Sequence, residues 1–245
     1  TSLDIDLKHV VMKRFRCIYV DEGQDQSLNF ETDQLVFSGK FKDDSYRLKT
    51  KGDGLFDHLT LGGVDYVIGK KIRTDLQLEI DQKINAYHID KGNIGMDNLL
   101  LDVTGDVLLV GNEPDLDLTF KGEHIDVQAV ISVLPNDVAY AMRDLRSAGQ
   151  IDVDGKVVGR FTEDAWPDID VQFAFVDASV TSKSLALDCQ KINLSGTLQN
   201  PYTKKLDIHV DLKELNMKKS SISGSLDVKN LMEPDIKFAL KGLID

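Results

Sequence analysis

The stretch that decides the fold occurs twice: residues 113–126 read EPDLDLTFKGEHID, and residues 233–245 read EPDIKFALKGLID. After the Glu-Pro-Asp of the first copy, the apolar side chains Leu116, Leu118 and Phe120 alternate with polar ones. Successive side chains of a β-strand point to opposite faces of a sheet, so this alternation predicts a strand with one apolar and one wet face. The repetition predicts that the two copies are ribs of one repeating sheet.

A longer unit contains this stretch, and it recurs along the second half of the chain. Each unit has a glycine, a short strand, a proline-bearing turn and an alternating strand, and the units begin at Gly105, Gly159, Gly196 and Gly224. Four of the five prolines, at positions 114, 167, 201 and 234, fall in this turn. Proline rigidifies a turn and offers no backbone donor where no strand partner is needed.

Alternation of the same kind covers most of the remaining sequence, in segments of about five to eight residues. Short groups rich in Gly, Asn and Asp, such as KGDG and DKGN, separate the segments and are typical of tight turns. The sequence therefore predicts a mainly β protein. Its fold is a long antiparallel meander that forms a curved, twisted sheet or groove with an apolar inner face.

One short helical pair is expected to interrupt this meander at about residues 126–147, where the apolar spacing becomes helical. Asp126 caps the first helix, which Pro135 ends, and Asn136 caps the second, which ends before Gly149. The apolar side chains of the pair favour packing on an end or face of the sheet, as core or as a lid over a cavity: Val130, Ile131, Val138, Met142 and Leu145.

Length and charge set the class of protein. The chain has 245 residues, with 29 Lys and Arg against 41 Asp and Glu, and its net charge of −12 opposes binding to nucleic acid and to anionic surfaces. We expect residues 1–245 to form one elongated, repeat-built β-domain. The first residues, TSLDIDLKHV, lack an initiator Met and a signal sequence, so we expect the chain to be a fragment of a longer protein.

The acidic and histidine residues offer no recognisable catalytic motif. D-x-D pairs can bind calcium, but an apolar residue inside each pair continues the strand alternation, which favours a solvated strand face over a metal site. The five histidines occur singly, and no nucleophile elbow or phosphate loop is present. We therefore predict no catalytic residue, no metal site, no cofactor and no enzymatic activity. The pairs are Asp115 with Asp117, Asp152 with Asp154, and Asp168 with Asp170.

Both cysteines lie in alternating segments. Cys17 follows Phe15 and precedes Tyr19 at a spacing of two, and Cys189 continues the parity of Leu187. This pattern predicts two buried strand cysteines. A disulfide between them stays open, because an even count permits one in an oxidising compartment and nothing in the sequence requires it.

Residues 145–180, LRSAGQIDVDGKVVGRFTEDAWPDIDVQFAFVDASV, resemble the AsmA-like family of bacterial envelope proteins, which is related to TamB. The likeness rests on the short helices ending at Pro135, the G-x-I-x-V-x-G strand of residues 149–155, Gly159, and the following Pro-Asp-Ile strand. Upstream, YHIDKGNIGMDNLLLDVTGDVLL is similar to the family's hairpin that leads to a glycine.

The resemblance implies a periplasmic protein that is anchored to the inner membrane of a Gram-negative bacterium through a segment outside this chain. Its apolar β-groove would bind or conduct lipid between inner and outer membranes and so support outer-membrane biogenesis. The expected partner is phospholipid or another acyl-chain lipid. The alternatives are a structural or adhesive β-sheet protein with an acidic outer face, and an enzyme in which two carboxylates converge in a cleft.

Strand parity selects the residues expected to line the groove. An apolar sheet face must be covered by another layer, close on itself, or accept an apolar ligand. Alternation alone favours a sandwich and a groove equally, and the resemblance favours the groove. The predicted lining residues are Leu76, Leu78, Ile80, Leu99, Leu101, Val103, Leu116, Leu118, Phe120, Ile169, Val171, Phe173, Phe175, Ile236, Phe238 and Leu240.

Overall fold

The structure is a computed structural model of the chain. It describes residues 4–21, 23, 26–42, 44–61, 64–96, 99–111, 113–132, 144–162, 165–182, 187–200, 205–217, 220–230 and 233–243. The strands are β1 (Asp4–Asp21), β2 (Gln26–Lys42), β3 (Ser45–Leu61), β4 (Val64–Asp81), β5 (Ala86–Met96), β6 (Leu99–Val110), β7 (Glu113–Asp126), β8 (Arg146–Arg160), β9 (Asp168–Ser182), β10 (Leu187–Gln199), β11 (Asp207–Met217), β12 (Ser220–Lys229) and β13 (Asp235–Leu243). One helix, α1 (Val127–Ser132), lies between β7 and β8 in the described part of the chain.

Strand order in the sheet is the order along the chain, from β1 to β13. This arrangement confirms the predicted mainly β, antiparallel meander. By internal contacts the chain divides into two compact units. The first unit contains β1 to β6 and the second contains β7, α1 and β8 to β13, and each is described by itself below. The prediction of a single elongated domain for residues 1–245 stays a prediction.

Alternation in the sequence translates directly into alternating exposure. Along β6, the odd-numbered residues from Leu99 to Leu109 are half-buried and the even-numbered ones from Leu100 to Val110 are exposed. Because side chains of a strand alternate between faces, one face of this strand is sheltered and the other is wet. The strand LLLDVTGDVLLV thus forms as its period of two predicts.

Helix α1 begins where the sequence predicts, since the backbone N–H of Gln128 donates to Asp126 Oδ1 at 2.7 Å. The predicted second helix was wrong at its end, because Arg146 and Ser147 belong to β8 and pair with β9. Ordered pairing with β9 satisfies the backbone groups of these residues and so overrides their helical spacing. Asp144 and Leu145 of that predicted helix are also not helical, and its earlier residues and the end of the first helix lie in residues 133–143, outside the described residues.

The glycine interpreted as a helix stop has a different role. Gly149 lies inside β8 with φ of 109°, at a register shift between Ala148 and Gln150 in the pairing with β9. A β-bulge inserts an extra residue and often requires a positive φ, which glycine adopts without strain. Nearby bulges in the second unit place Asp177 and Lys191 at positive φ as well.

The most buried cluster of the second unit lies over these bulges. Val127 of α1 packs with Ala178 of β9 and with Cys189 and Ile192 of β10. Val127 and Ala129 are both buried, so α1 is part of the core, which is one of the two roles expected for the helical pair. Six partly buried apolar side chains surround the cluster: Phe175, Val180, Leu194, Leu212, Leu215 and Met217.

Both cysteines are free thiols. Cys189 is buried as predicted, and the loss of solvent around it raises the pKa of its thiol, with a smaller contribution from Asp188. Cys17 is only half-buried, so the prediction of a buried cysteine there was wrong. The reason is its position on β1, an outer strand whose residues pack against β2 alone.

Three prolines can be placed. Pro167 and Pro234 directly precede β9 and β13, which fits the turn predicted for them. Pro114 instead belongs to β7, where its carbonyl accepts a hydrogen bond from Phe161 N–H at 2.9 Å. Proline is tolerated there because it is near the first residue of the strand. Position 201 lies outside the described residues.

Candidate functional site

Six predicted lining residues of the first unit share one face of its sheet. In the register, Leu78 pairs with Leu48 on one side and Ile89 on the other, while Gly92 of β5 pairs with both Leu76 and Val103. Directly paired residues of neighbouring strands point to the same face. The face therefore includes all six of the predicted residues in β4 and β6: Leu76, Leu78, Ile80, Leu99, Leu101 and Val103.

The ten predicted lining residues of the second unit also share one face. A continuous row of partners runs across it from Phe173 through Gly196, Val210 and Leu226 to Phe238. Through pairing of Phe173 with Val153 and of Val153 with Gly122, the row continues on the same face across β8 and β7. Its predicted members are Leu116, Leu118, Phe120, Ile169, Val171, Phe173, Phe175, Ile236, Phe238 and Leu240. That these faces hold lipid stays a prediction.

The predicted lining residues on these faces are mostly half-buried, and Ile80 is buried, with 7% exposure. In the described residues the strands form a single sheet in which each strand lies next to its neighbours along the chain. The sandwich alternative is therefore not observed within either unit. Helix α1 covers one end of the apolar face of the second unit. At the outer strand β13, Phe238 is 70% exposed and Ile236 and Leu240 are also exposed.

Phenylalanine rings lie over glycines of the neighbouring strand, a feature that sequence reasoning missed. Phe120 pairs with Gly155 and Phe173 pairs with Gly196. A Cβ added at Gly196 would stand 2.6 Å from Phe173 Cζ, and at Gly155 it would overlap the ring of Phe120. The signal was present in the regular glycines of the repeat, because rings that cover strand glycines supply the packing that glycine lacks.

The opposite face of each sheet is wet and charged. Asp115 and Asp117 lie there, 3.6 Å from Arg160 Nη2 and 3.3 Å from Lys156 Nζ. This is the solvated strand face that alternation favoured for the D-x-D pair. Within the described ranges no group of three or more His, Cys, Asp and Glu side chains is placed to hold a metal ion.

A shallow concavity of about 350 Å³ opens in the first unit beside Ile80. Its two carboxylate residues from β4 are already engaged, since Glu79 pairs with Arg47 and Asp81 Oδ1 accepts a hydrogen bond from Lys83 N–H at 2.9 Å. Lys40, Arg47 and His88 also line the concavity.

Two histidines on the wet faces make the same arrangement with carboxylates. His88 Nδ1 lies 2.6 Å from Asp106 Oδ1, and His209 Nδ1 lies 2.7 Å from Asp227 Oδ1. The hydrogen bond to Asp106 is the main cause that raises the pKa of His88 above its usual value, and the bond to Asp227 does the same for His209. Each carboxylate follows its histidine by 18 residues, a spacing in the sequence that went unnoticed.

Stability is expected to depend on pH through these pairs. A pKa raised on folding adds stability that is fully present below the unfolded value of about 6.5 and is lost as pH rises through the folded value. Asp106, Asp90 and Glu79 surround His88, so Asp106→Asn should lower the pKa of His88 measured by NMR titration. It should also weaken the decline of stability between about pH 6 and pH 8. An unchanged pKa would contradict the assignment of Asp106 as the main cause.

Comparison with models of protein families, with curated proteins and with solved structures finds no match to this chain. Among the described residues, none of the helices is long and apolar enough to cross a membrane. The apolar faces and their register are therefore the observations from which a function is proposed.

Proposed function

We propose that this chain is a non-enzymatic envelope protein of the periplasm whose apolar sheet faces bind acyl chains and conduct lipid between inner and outer membranes. Through a segment outside this chain it would be anchored to the inner membrane and support outer-membrane biogenesis. The observation that carries the proposal is the row of Leu, Ile, Val and Phe on one face of each unit, whose side chains are mostly half-buried and, on β13, exposed. The resemblance to the AsmA-like family supports the location and the transfer of lipid.

The energy of such binding needs no specific polar contact. Burying one methylene is worth about 0.8 kcal/mol, so a chain of about twelve carbons gains roughly 10 kcal/mol before the costs of association. Those costs are at least about 4 kcal/mol, which leaves room for micromolar to millimolar affinity. An acyl chain can therefore bind to an apolar face of half-buried side chains through burial of its methylenes alone. Such binding requires no catalytic or charged group.

One end of the apolar face of the second unit is covered by protein. Val127 of α1 packs on Ala178, Cys189 and Ile192, so the apolar face is closed there by protein. From Phe175 to Ile169, β9 runs away from this end over six steps, or about 20 Å at 3.3 Å per residue. Half-buried apolar residues continue along that length, and an acyl chain can lie on them.

Charge substitutions on the two faces of the same strands test the proposal. Leu118→Lys with Val171→Lys places cations on the apolar face, and because an unpaired charge is costly next to a lipid tail, binding should weaken by at least about tenfold. Thr119→Lys with Gln172→Lys adds the same charges to the same strands on the wet face and should leave binding nearly unchanged. Binding is measured with a fluorescent fatty acid, and folding of both variants is checked by circular dichroism.

Leu118→Ser with Val171→Ser serves as a second test if the lysine variant does not fold. It removes apolar surface without adding charge and should lower affinity by a smaller factor. Phospholipid should also be recovered by mass spectrometry from a chloroform extract of the natively purified chain. Equal affinity in the apolar-face and wet-face variants would refute the proposed site.

A further inference from the structure

The apolar face of the second unit is driest at the end that α1 covers. Val127 of α1 is 6% exposed, and Ala178, against which it packs, is 2% exposed. Burying an unpaired polar group among such side chains is costly, so this end suits the hydrocarbon end of a ligand. Five more apolar side chains at this end are buried: Ile125, Ala129, Ile151, Cys189 and Ile192.

The opposite end of the same face is polar and partly wet. Asn200, the residue after β10, places its amide there and binds the backbone of Pro167 and Ile169. Between β8 and β9, Trp166 is half-buried and stacks on Phe161, which is 44% exposed. Tryptophan combines an apolar ring with an N–H donor and favours positions where apolar and wet surroundings meet. A polar group of a ligand can therefore stay in contact with water at this end.

The distance between the two ends matches one acyl chain. The half-buried apolar residues of β9 from Ile169 to Phe175 cover about 20 Å at 3.3 Å per residue. The hydrocarbon core of a bilayer is about 30 Å thick, so an acyl chain in one leaflet spans roughly 15 Å. A single acyl chain that lies along β9 would therefore have its two ends in different surroundings.

We propose that the second unit binds the acyl chain of a lipid in one orientation, with the methyl end at α1 and the polar head group beside Trp166. This inference rests on the proposed function, to which it adds the direction in which the lipid lies. The reverse orientation would bury the head group next to Val127 and Ala178. It should therefore be at least about tenfold less populated.

Quenching of tryptophan fluorescence by bromine tests the orientation, because Trp166 is the one tryptophan of the chain. Bromine quenches an indole ring only at short range. Two isomers of bromohexadecanoic acid are compared, one with bromine near the carboxylate and one with bromine on the terminal carbon. At saturation, the isomer with bromine near the carboxylate should quench Trp166 at least about threefold more than the other, because one orientation prevails.

A matched variant moves the reporter to the other end of the face. Phe175→Trp with Trp166→Phe keeps an aromatic ring at both positions and should reverse the order of quenching by the two isomers. The measurement on the unchanged chain remains decisive if this variant does not fold. Stronger quenching of Trp166 by the terminal bromine, or equal quenching by both isomers, would overturn the orientation and leave lipid binding intact. If calorimetry shows that neither isomer binds, the proposed function is refuted as well.

Discussion

Gly149→Ala should lower the free energy of unfolding of the second unit by about 2–5 kcal/mol. Two separate costs add at this position. The φ of 109° strains any residue with a Cβ, and that Cβ would stand 3.0 Å from the backbone nitrogen of Ala178 and closer still to its Cα. Ala178 is 2% exposed and packs against Val127 of α1, so the backbone there has little freedom to move away.

Trp166, the one tryptophan of the chain, makes the measurement specific to the second unit. Its ring stacks on Phe161 with 6.4 Å between centroids, so its fluorescence should change when this unit unfolds in urea. Gly149→Ala should shift the midpoint to lower urea without a large change of slope, because stability changes while the exposed surface on unfolding does not.

Gly111→Ala separates the two costs. Gly111 also has a positive φ, of 66°, but an added Cβ there meets nothing within 4 Å. Gly111→Ala should therefore lower the free energy of unfolding only by the strain of the left-handed conformation, about 1–2 kcal/mol. If both alanine variants lose the same stability, the close approach of β8 to β9 at Ala178 is not a constraint on the fold.

Most of what could be predicted from the sequence came from the alternation of apolar and polar residues along each strand. The alternation of Leu116, Leu118 and Phe120 with aspartates fixes which side chains share a face, because a strand has only two faces. Register then follows from burying one face, since a slip of one residue would expose it. This is why the predicted lining residues of each unit came to lie on one face of its sheet.

Sequence patterns predicted the wrong structure where the same residue type occurs in two kinds of structure. A glycine at positive φ ends a helix or makes a bulge, and the difference at Gly149 depends on Ala178, which is distant in sequence. The helical spacing up to Ser147 likewise gave way to pairing with Val180 of β9. Such pairing depends on residues that are distant in the sequence, and the periodicity of one segment cannot predict it.

The histidine pairs show the same limit on the wet face. His88 and Asp106 are neighbours only because β5 and β6 form a hairpin in which they occupy opposite positions. Each histidine taken singly gives no sign of the carboxylate beside it. The interval of 18 residues recurs between His209 and Asp227, and this repetition is present in the sequence itself.

Asn200→Leu is the second substitution expected to have a large effect. It should lower the free energy of unfolding by about 2–5 kcal/mol at pH 7. Asn200 is 1% exposed at the end of β10. Its Nδ2 donates to the carbonyl of Pro167 at 2.8 Å, and its Oδ1 accepts from the backbone N–H of Ile169 at 2.5 Å. Leucine has a similar size but would leave both buried backbone groups without these partners, at about 1–3 kcal/mol each.

Gln199→Leu is the matched control on the neighbouring residue. Its amide donates to Asp170 Oδ1 at 3.1 Å on the exposed side of the sheet, where water can replace the bond. The loss should be within about 0.5 kcal/mol by urea denaturation followed through Trp166. Similar losses at positions 199 and 200 would mean that the buried amide does not stabilise the start of β9.

Asn200→Asp distinguishes the donor from the acceptor. The carboxylate still accepts from Ile169 N–H but faces the Pro167 carbonyl with no proton to donate, and burial raises the pKa of such a carboxyl. With a folded pKa above the unfolded one, the deficit should be largest at neutral pH and shrink as pH falls through the folded value. The Asn200→Leu deficit should not change with pH in this way. If the two deficits follow the same pH dependence, the hydrogen bond to Pro167 is not the source of the effect.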